Sequence, residues 1–270
     1  MTGAKLAEMM KSGARVYGTL VVSPSPVWLR HIGGIGLDFV FIDTEHIPLG
    51  RDALSWMCRA YRTAGIPPIV RIPSPDPYQA CMAIDAGACG VMAPYLETAV
   101  QVRALYGAVK LRPLKGKKLQ DALDGRTCLD EQTKQYLAEQ NKDHLLLLNI
   151  ESTAGIGNLN DMLSVPGVDG VIIGPHDLSI SLDIPEQYRH KRFDEAVCAI
   201  VKAARSRGVG AGNHFSYGTD QEIGWAKQGM NILLHSSDVT AFVSGIGGDL
   251  AAMRAALGDT ANRQSSTIDI

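Results

Sequence analysis

The sequence predicts a single-domain (β/α)8 barrel, and three observations predict it. Eight short apolar runs rich in β-branched residues recur along the 270-residue chain. Most are continuously apolar rather than alternating, as parallel strands buried on both faces must be. Stretches of helical period separate them, which is the rhythm of a strand-helix repeat. The competing doubly wound sheet lacks its Gly-rich fingerprint after the first run. The glycines at Gly208, Gly210 and Gly212 do not keep G-x-G-x-x-G spacing and read as a tight helix-to-strand turn.

The predicted strands cover residues 16–22, 37–42, 69–72, 89–92, 145–150, 168–173, 209–211 and 231–235. Between them, residues 52–63 carry Leu54, Met57 and Cys58 at helical spacing and stop at Gly65. A helix over 76–86 opens with Pro77, good at a first helical position, and closes at Gly87. Residues 193–206 align Phe193, Val197, Ile200, Val201 and Ala204 on one face, and a further helix is expected over 219–228. One connection breaks the rhythm. Residues 111–143 hold a basic stretch at 112–118 and a polar helical piece at 130–140, so they form either a solvated excursion or a loop over the barrel mouth. The barrel is expected to occupy 1–258, with 259–270 a disordered polar tail.

Charge and cysteine content narrow the function. With 26 basic against 28 acidic side chains, the net charge of −2 offers no basic stripe for nucleic acid. The first sixteen residues have no apolar signal core, and no apolar run approaches the ~18 residues that span a membrane. A cytoplasmic protein with neither nucleic acid nor membrane as partner is expected. The five cysteines show no C-x-x-C spacing; four lie in apolar segments and read as small buried hydrophobes. Cys128 alone sits in a polar stretch.

In such barrels chemistry gathers at the C-terminal strand ends. Glu151 follows the fifth run and Asp177 the sixth, on strands that should be neighbours. Two carboxylates completed by substrate oxygens and water suit Mg²⁺ or Mn²⁺. Asp177 reads equally as a helix cap, and Glu151 as a first-turn acid facing a helix dipole. Asp43 and His46 are spaced so that the carboxylate can orient an imidazole as general base, or form only a satisfied turn. Arg71 ends an apolar strand, where its charge needs an acid such as Glu45 or an anionic substrate. The seventh strand delivers Asn213 and His214, the eighth Ser236, Ser237 and Asp238. None of the eleven lysines ends a predicted strand, which disfavours a Schiff-base aldolase, and no G-x-S-x-G elbow is present.

The strings FIDTEH at 41–46, VRIP at 70–73, IDAGA at 84–88, NIE at 149–151 and GPHDLS at 174–179 together resemble the HpcH/HpaI aldolase family. The resemblance runs from about Gly18 to Leu257. It implies a class II pyruvate aldolase that makes or cleaves 4-hydroxy-2-oxo acids through a metal-stabilised pyruvate enolate. Its cofactor would be Mg²⁺ or Mn²⁺, with Co²⁺ also suitable, and no organic cofactor. Glu151 and Asp177 are then metal ligands, His46 the base oriented by Asp43, and Arg71 the group meeting the pyruvate oxygens. Asp85 matches an acid that acts across a subunit interface. Asn149, Gly174, Pro175, His176, Ser237 and Asp238 are the implied substrate-binding positions. A homo-oligomer, hexamer or trimer, with the last helix exchanged between subunits, is also implied. Three positions depart from the pattern: Asn149 where Gln is common, His176 where a small residue is usual, and Lys117 near an expected Arg. Oxaloacetate decarboxylation, macrophomate-synthase-like chemistry and an inactive barrel are the alternatives.

Overall fold

The computed structural model describes residues 1–259, and its eight parallel strands close in chain order into one barrel. They are β1 (Val16–Leu20), β2 (Phe39–Asp43), β3 (Pro68–Arg71), β4 (Gly90–Ala93), β5 (Leu145–Ile150), β6 (Gly170–Ile173), β7 (Gly210–Phe215) and β8 (Ile232–Ser237). Every neighbouring pair is parallel, including β8 back to β1. The fold class is therefore as predicted. The expected tail from residue 260 onward lies outside the described residues.

Strand alternation builds two cores. Inward positions form the first: Phe39 and Phe41 of β2, Ile69, Met92, Leu145, Leu147, Ile172, Ile232 and Leu234. The helix Gly3–Ser12 plugs the N-terminal end of the barrel with fully buried Leu6 and Met10. Outward positions pack against the helices as a second, larger core that includes Ala211, Phe215 and the Phe193–Ala204 face. The same parity fixes what reaches the mouth. Two residues beyond Phe41, Ile69, Leu147, Ile172 and the inward Gly212 stand Asp43, Arg71, Asn149, Gly174 and His214, with Glu151 two residues past Asn149.

Two glycines are required by shape. Gly87 ends the helix Pro77–Ala86 at φ 113, a conformation an L side chain rarely adopts. A Cβ on Gly212 would lie 2.1 Å from the Ile232 carbonyl oxygen, so β7 and β8 approach there only through glycine.

The 111–143 connection differs from one of its two expected forms. It contains two helices, Gly116–Leu123 and Glu131–Gln140, and joins the end of the helix Ala99–Lys110 to the start of β5. Helices of a barrel run back from the mouth, so this connection lies at the N-terminal end and cannot cover its own mouth. Lys117 pairs with Asp121 on its own helix at 2.6 Å.

The last helix, Asp238–Leu257, leaves the barrel. From residue 241 onward all its described residues are exposed, including Phe242, Val243, Ile246, Leu250, Met253 and Leu257, which form one stripe. An open groove of about 450 Å³ on the outside of β8 and β1 is lined by Tyr17, Ile223, Leu233 and His235.

Candidate active site

At the end of β2, Asp43 is 2% exposed and is gripped by Arg71 from β3. Arg71 donates from Nε to Asp43 Oδ1 at 2.9 Å and from Nη2 to Oδ2 at 2.6 Å. The Glu45 amide adds a third bond to Oδ1 at 2.9 Å. Burial raises the Asp43 carboxyl, but the Arg71 hydrogen bonds and charge outweigh it and hold it below its usual value. Arg71 also lies 3.1 Å from Glu45 Oε2 and above the Phe41 ring. Burial works against its charge, yet Asp43, Glu45 and Glu151 together keep it protonated.

This corrects one expectation. Asp43 orients Arg71, not His46. His46 is half exposed, and its Nε2 stands 3.8 Å from Glu45 Oε2, too far for a hydrogen bond. The bidentate fork of a guanidinium matches a carboxylate better than one imidazole N–H, and Asp43 and Arg71 face each other across paired strands.

Glu151, directly after β5, is 8% exposed. Its Oε1 accepts the Tyr95 amide at 2.7 Å, and its Oε2 accepts from the Asn149 side chain two residues earlier. Burial pushes its carboxyl up to about 7; the nearby acids Asp177 and Glu45 push the same way, while the Tyr95 amide and Arg71 oppose. Gly174 makes room for it, since a Cβ there would sit 3.0 Å from Glu151 Oε2. Asp177 lies exposed in the first turn of the helix Pro175–Ser181, which begins with Pro175. Neither acid serves its helix as a cap: Gly174 occupies that place for Asp177's helix, and Ser152 caps the one after Glu151.

The remaining predicted positions are placed differently. His176 is exposed and faces Glu186 at 3.8 Å. Asn213 is buried on the outer face of β7, sharing parity with Ala211 and Phe215, because the strand runs four residues beyond its expected end. Ser237 caps the last helix through Thr240, and Asp238 accepts the Val22 and Ser23 amides at 3.0 and 2.9 Å. Those bonds close the seam between β8 and β1, so both side chains are taken up structurally. Asp85 lies at the far end of its helix, paired with Arg112 at the N-terminal end of the barrel. Within one chain it does not meet the mouth.

Sequence reading missed Tyr95. It sits just past β4 at φ 54, unusual for an aromatic residue. Its carbonyl is held by Gln101 and its amide by Glu151, and the negative charge of Glu45 near its phenol helps push that phenol up to about 12. The signal available was its position immediately beyond an apolar strand.

The carboxylates and guanidinium of this rim can bind a cation together with an anionic substrate. Glu151 fits such a cation: it is a carboxyl disfavoured as an anion by burial and by the acids near it. Among the described residues no cluster of three or more His, Cys, Asp and Glu side chains forms a metal cage, so substrate oxygens and water would complete the coordination of a two-carboxylate site.

The family model for HpcH/HpaI aldolase/citrate lyase matches residues 17–245. A 2-dehydro-3,6-dideoxy-6-sulfogluconate aldolase of Pseudomonas putida is 29% identical over 237 residues, 87% of this chain and 91% of that protein. A hydroxypyruvate/pyruvate aldolase of Roseovarius nubinhibens is 29% identical over 74% of this chain and 79% of its own. The crystal structure of an HpcH/HpaI aldolase from Desulfitobacterium hafniense superposes with a TM-score of 0.79 at 27% identity, covering 92% of this chain and 96% of that one.

Proposed function

The chain belongs to the HpcH/HpaI aldolase/citrate lyase family and is a carbon–carbon lyase, and from that premise we propose that it is a metal-dependent aldolase joining pyruvate to an aldehyde. Its substrates in cleavage would be 4-hydroxy-2-oxo acids. The observation that carries this reading is Glu151, a buried carboxylate held by the Tyr95 amide and the Asn149 side chain on the same rim as the Arg71–Asp43 pair. A relative named for hydroxypyruvate and pyruvate supports a 2-oxo acid as the nucleophile.

Glu151 and Asp177 would hold Mg²⁺, Mn²⁺ or Co²⁺, which supplies a Lewis acid for the keto oxygen of the bound 2-oxo acid. Arg71, locked by Asp43, presents a fixed positive charge to the oxygens of the same substrate. Asp43 takes the Nε–H and one Nη2–H, which leaves the Nη1 hydrogens and the second Nη2 hydrogen for substrate. His46, exposed at the rim and free of Asp43, takes the proton from the 4-hydroxyl in cleavage or from the pyruvate methyl in synthesis. Tyr95 and Asn149 keep Glu151 oriented through both directions.

The same reading includes assembly. The apolar stripe on the last helix and the open groove on β1 and β8 are complementary vacancies of one chain, and exchange of that helix between subunits fills both. Asp85 would then act at a neighbour's mouth.

The test is exchange of pyruvate's methyl protons in D₂O, with Mg²⁺ or Mn²⁺ and with EDTA. Exchange that needs the metal and disappears in Arg71→Ala is expected. Exchange that persists in EDTA, or its absence with every metal, overturns the reading.

A further inference from the structure

His214 is the inward residue at the top of β7, above Gly210 and Gly212 on the same face. Its ring meets Phe41 edge to face at 5.5 Å, and its Nε2 lies 3.1 Å from the Ser236 carbonyl. A carbonyl only accepts, so Nε2 carries the hydrogen. Nδ1 is therefore a bare lone pair, and it has no partner among the described residues. Burial holds the ring neutral by pushing it down to about 4, with the Arg71 charge acting the same way. The groups whose charges reach it are Arg71, Asp43 and His235.

An imidazole stands out on this wall. The interior residues around it, Phe41, Ile232 and Leu234, are apolar, whereas His214 is only partly buried and its Nδ1 is not one of the sealed, unpartnered side-chain atoms, so the lone pair is open to a ligand. The lone pair lies in the same mouth as Arg71, where the 2-oxo acid is placed in the reading above. Carboxylate, keto and aldehyde oxygens can only accept hydrogen bonds. A hydroxyl is the group on an aldol reactant that can donate one.

We propose that His214 is a specificity-determining residue whose Nδ1 accepts a hydrogen bond from a substrate hydroxyl beside the reacting carbons. The hydroxyl belongs either to a 3-hydroxylated 2-oxo acid or to a 2-hydroxyaldehyde. This inference rests on the aldolase reading for where substrate lies.

Two arms separate the sources. The first compares hydroxypyruvate with pyruvate against a fixed aldehyde; the second compares glycolaldehyde with acetaldehyde against pyruvate. In the metal-loaded wild type, one arm should favour the hydroxylated reactant by about tenfold in kcat/KM, the scale of one neutral hydrogen bond. His214→Leu should bring that ratio near one. His214→Gln, whose amide can donate to Ser236 and still offer an oxygen, should restore it. Direct binding of hydroxypyruvate and pyruvate by calorimetry gives a second readout that needs no turnover. Thermal melting of each variant establishes that it is folded.

Equal ratios in wild type and His214→Leu in both arms, with equal binding of the two acids, overturn the proposal. A preference that His214→Gln fails to restore also overturns it, since a shape effect would then suffice. Failure of the wild type to exchange pyruvate protons counts against the aldolase reading instead, and calorimetric binding of hydroxypyruvate against pyruvate and of glycolaldehyde against acetaldehyde, in wild type and His214→Leu, then decides His214.

Discussion

Replacing Glu151 by Gln should stabilise the metal-free protein at alkaline pH. The folded carboxyl titrates near 7 against 4.5 for the ordinary group. At 1.36 kcal/mol per unit, that gap is worth about 3 kcal/mol. The shift is upward, so the folded chain holds this proton more tightly than the unfolded chain does. Stability from the site is intact below about 4.5 and is lost as pH rises through about 7. Gln has the same shape and no charge to lose, and Asn149 can turn its amide to meet it. Urea denaturation in EDTA should therefore find the variant about 3 kcal/mol more stable at pH 8, with the advantage shrinking by about 2 kcal/mol at pH 5.5. Added Mg²⁺ at a hundred times its dissociation constant should return about 2.7 kcal/mol to the wild type and nothing to the variant. Equal stability at pH 8 would refute the reasoning, because the carboxylate would then be comfortable without a cation.

Three further outcomes are expected. Arg71→Ala leaves Asp43 and Glu45 buried without their cation, which should cost about 3–5 kcal/mol in urea denaturation at pH 7; because Asp43 is held below its usual value, the deficit should shrink as pH falls below about 4. Gly174→Ala places a Cβ 3.0 Å from Glu151 Oε2, and overpacking of about 1–3 kcal/mol at that point should slow pyruvate proton exchange about tenfold or more while the fold persists by circular dichroism. Phe242→Glu puts a charge on the apolar stripe of the last helix and should lower the mass of the proposed assembly by light scattering, whereas an unchanged mass would count against helix exchange.

The barrel was legible because buried parallel strands leave a coarse record. All eight apolar runs became strands, and Leu145–Ile150 matched its run residue for residue. Parity carried the inward rim: Asp43, Arg71 and Asn149 follow from counting in twos past the interior core residues. Polar or Gly-rich strand ends hid the rest. β7 runs on through Asn213 and His214, so two residues read together as the strand's delivery to the rim stand on opposite faces, one buried outward and one inward. The partner of Asp43 was also out of reach. Sequence proximity favours His46, whereas strand pairing places Arg71 directly opposite, 28 residues away in sequence. Tyr95 was missed because its main contribution is a backbone amide, which no residue type announces.

The charges at the mouth suggest how its ligands must arrive. Asp43, Glu45, Glu151 and Asp177 stand against one guanidinium, so full ionisation leaves a surplus of negative charge just where an anionic 2-oxo acid is to bind. Glu151 relieves that surplus by keeping its proton near neutral pH in the metal-free protein. A cation at Glu151 must therefore displace a proton before the substrate's own charge can be accommodated. At pH 7 about half of the Glu151 carboxyls are protonated, so Mg²⁺ binding should release about half a proton; at pH 8.5 the release should approach zero. Calorimetric titrations in two buffers of different ionisation enthalpy measure this directly. Binding without proton release at pH 7 would mean that the cation sits elsewhere, and that Glu151 keeps its proton for another purpose.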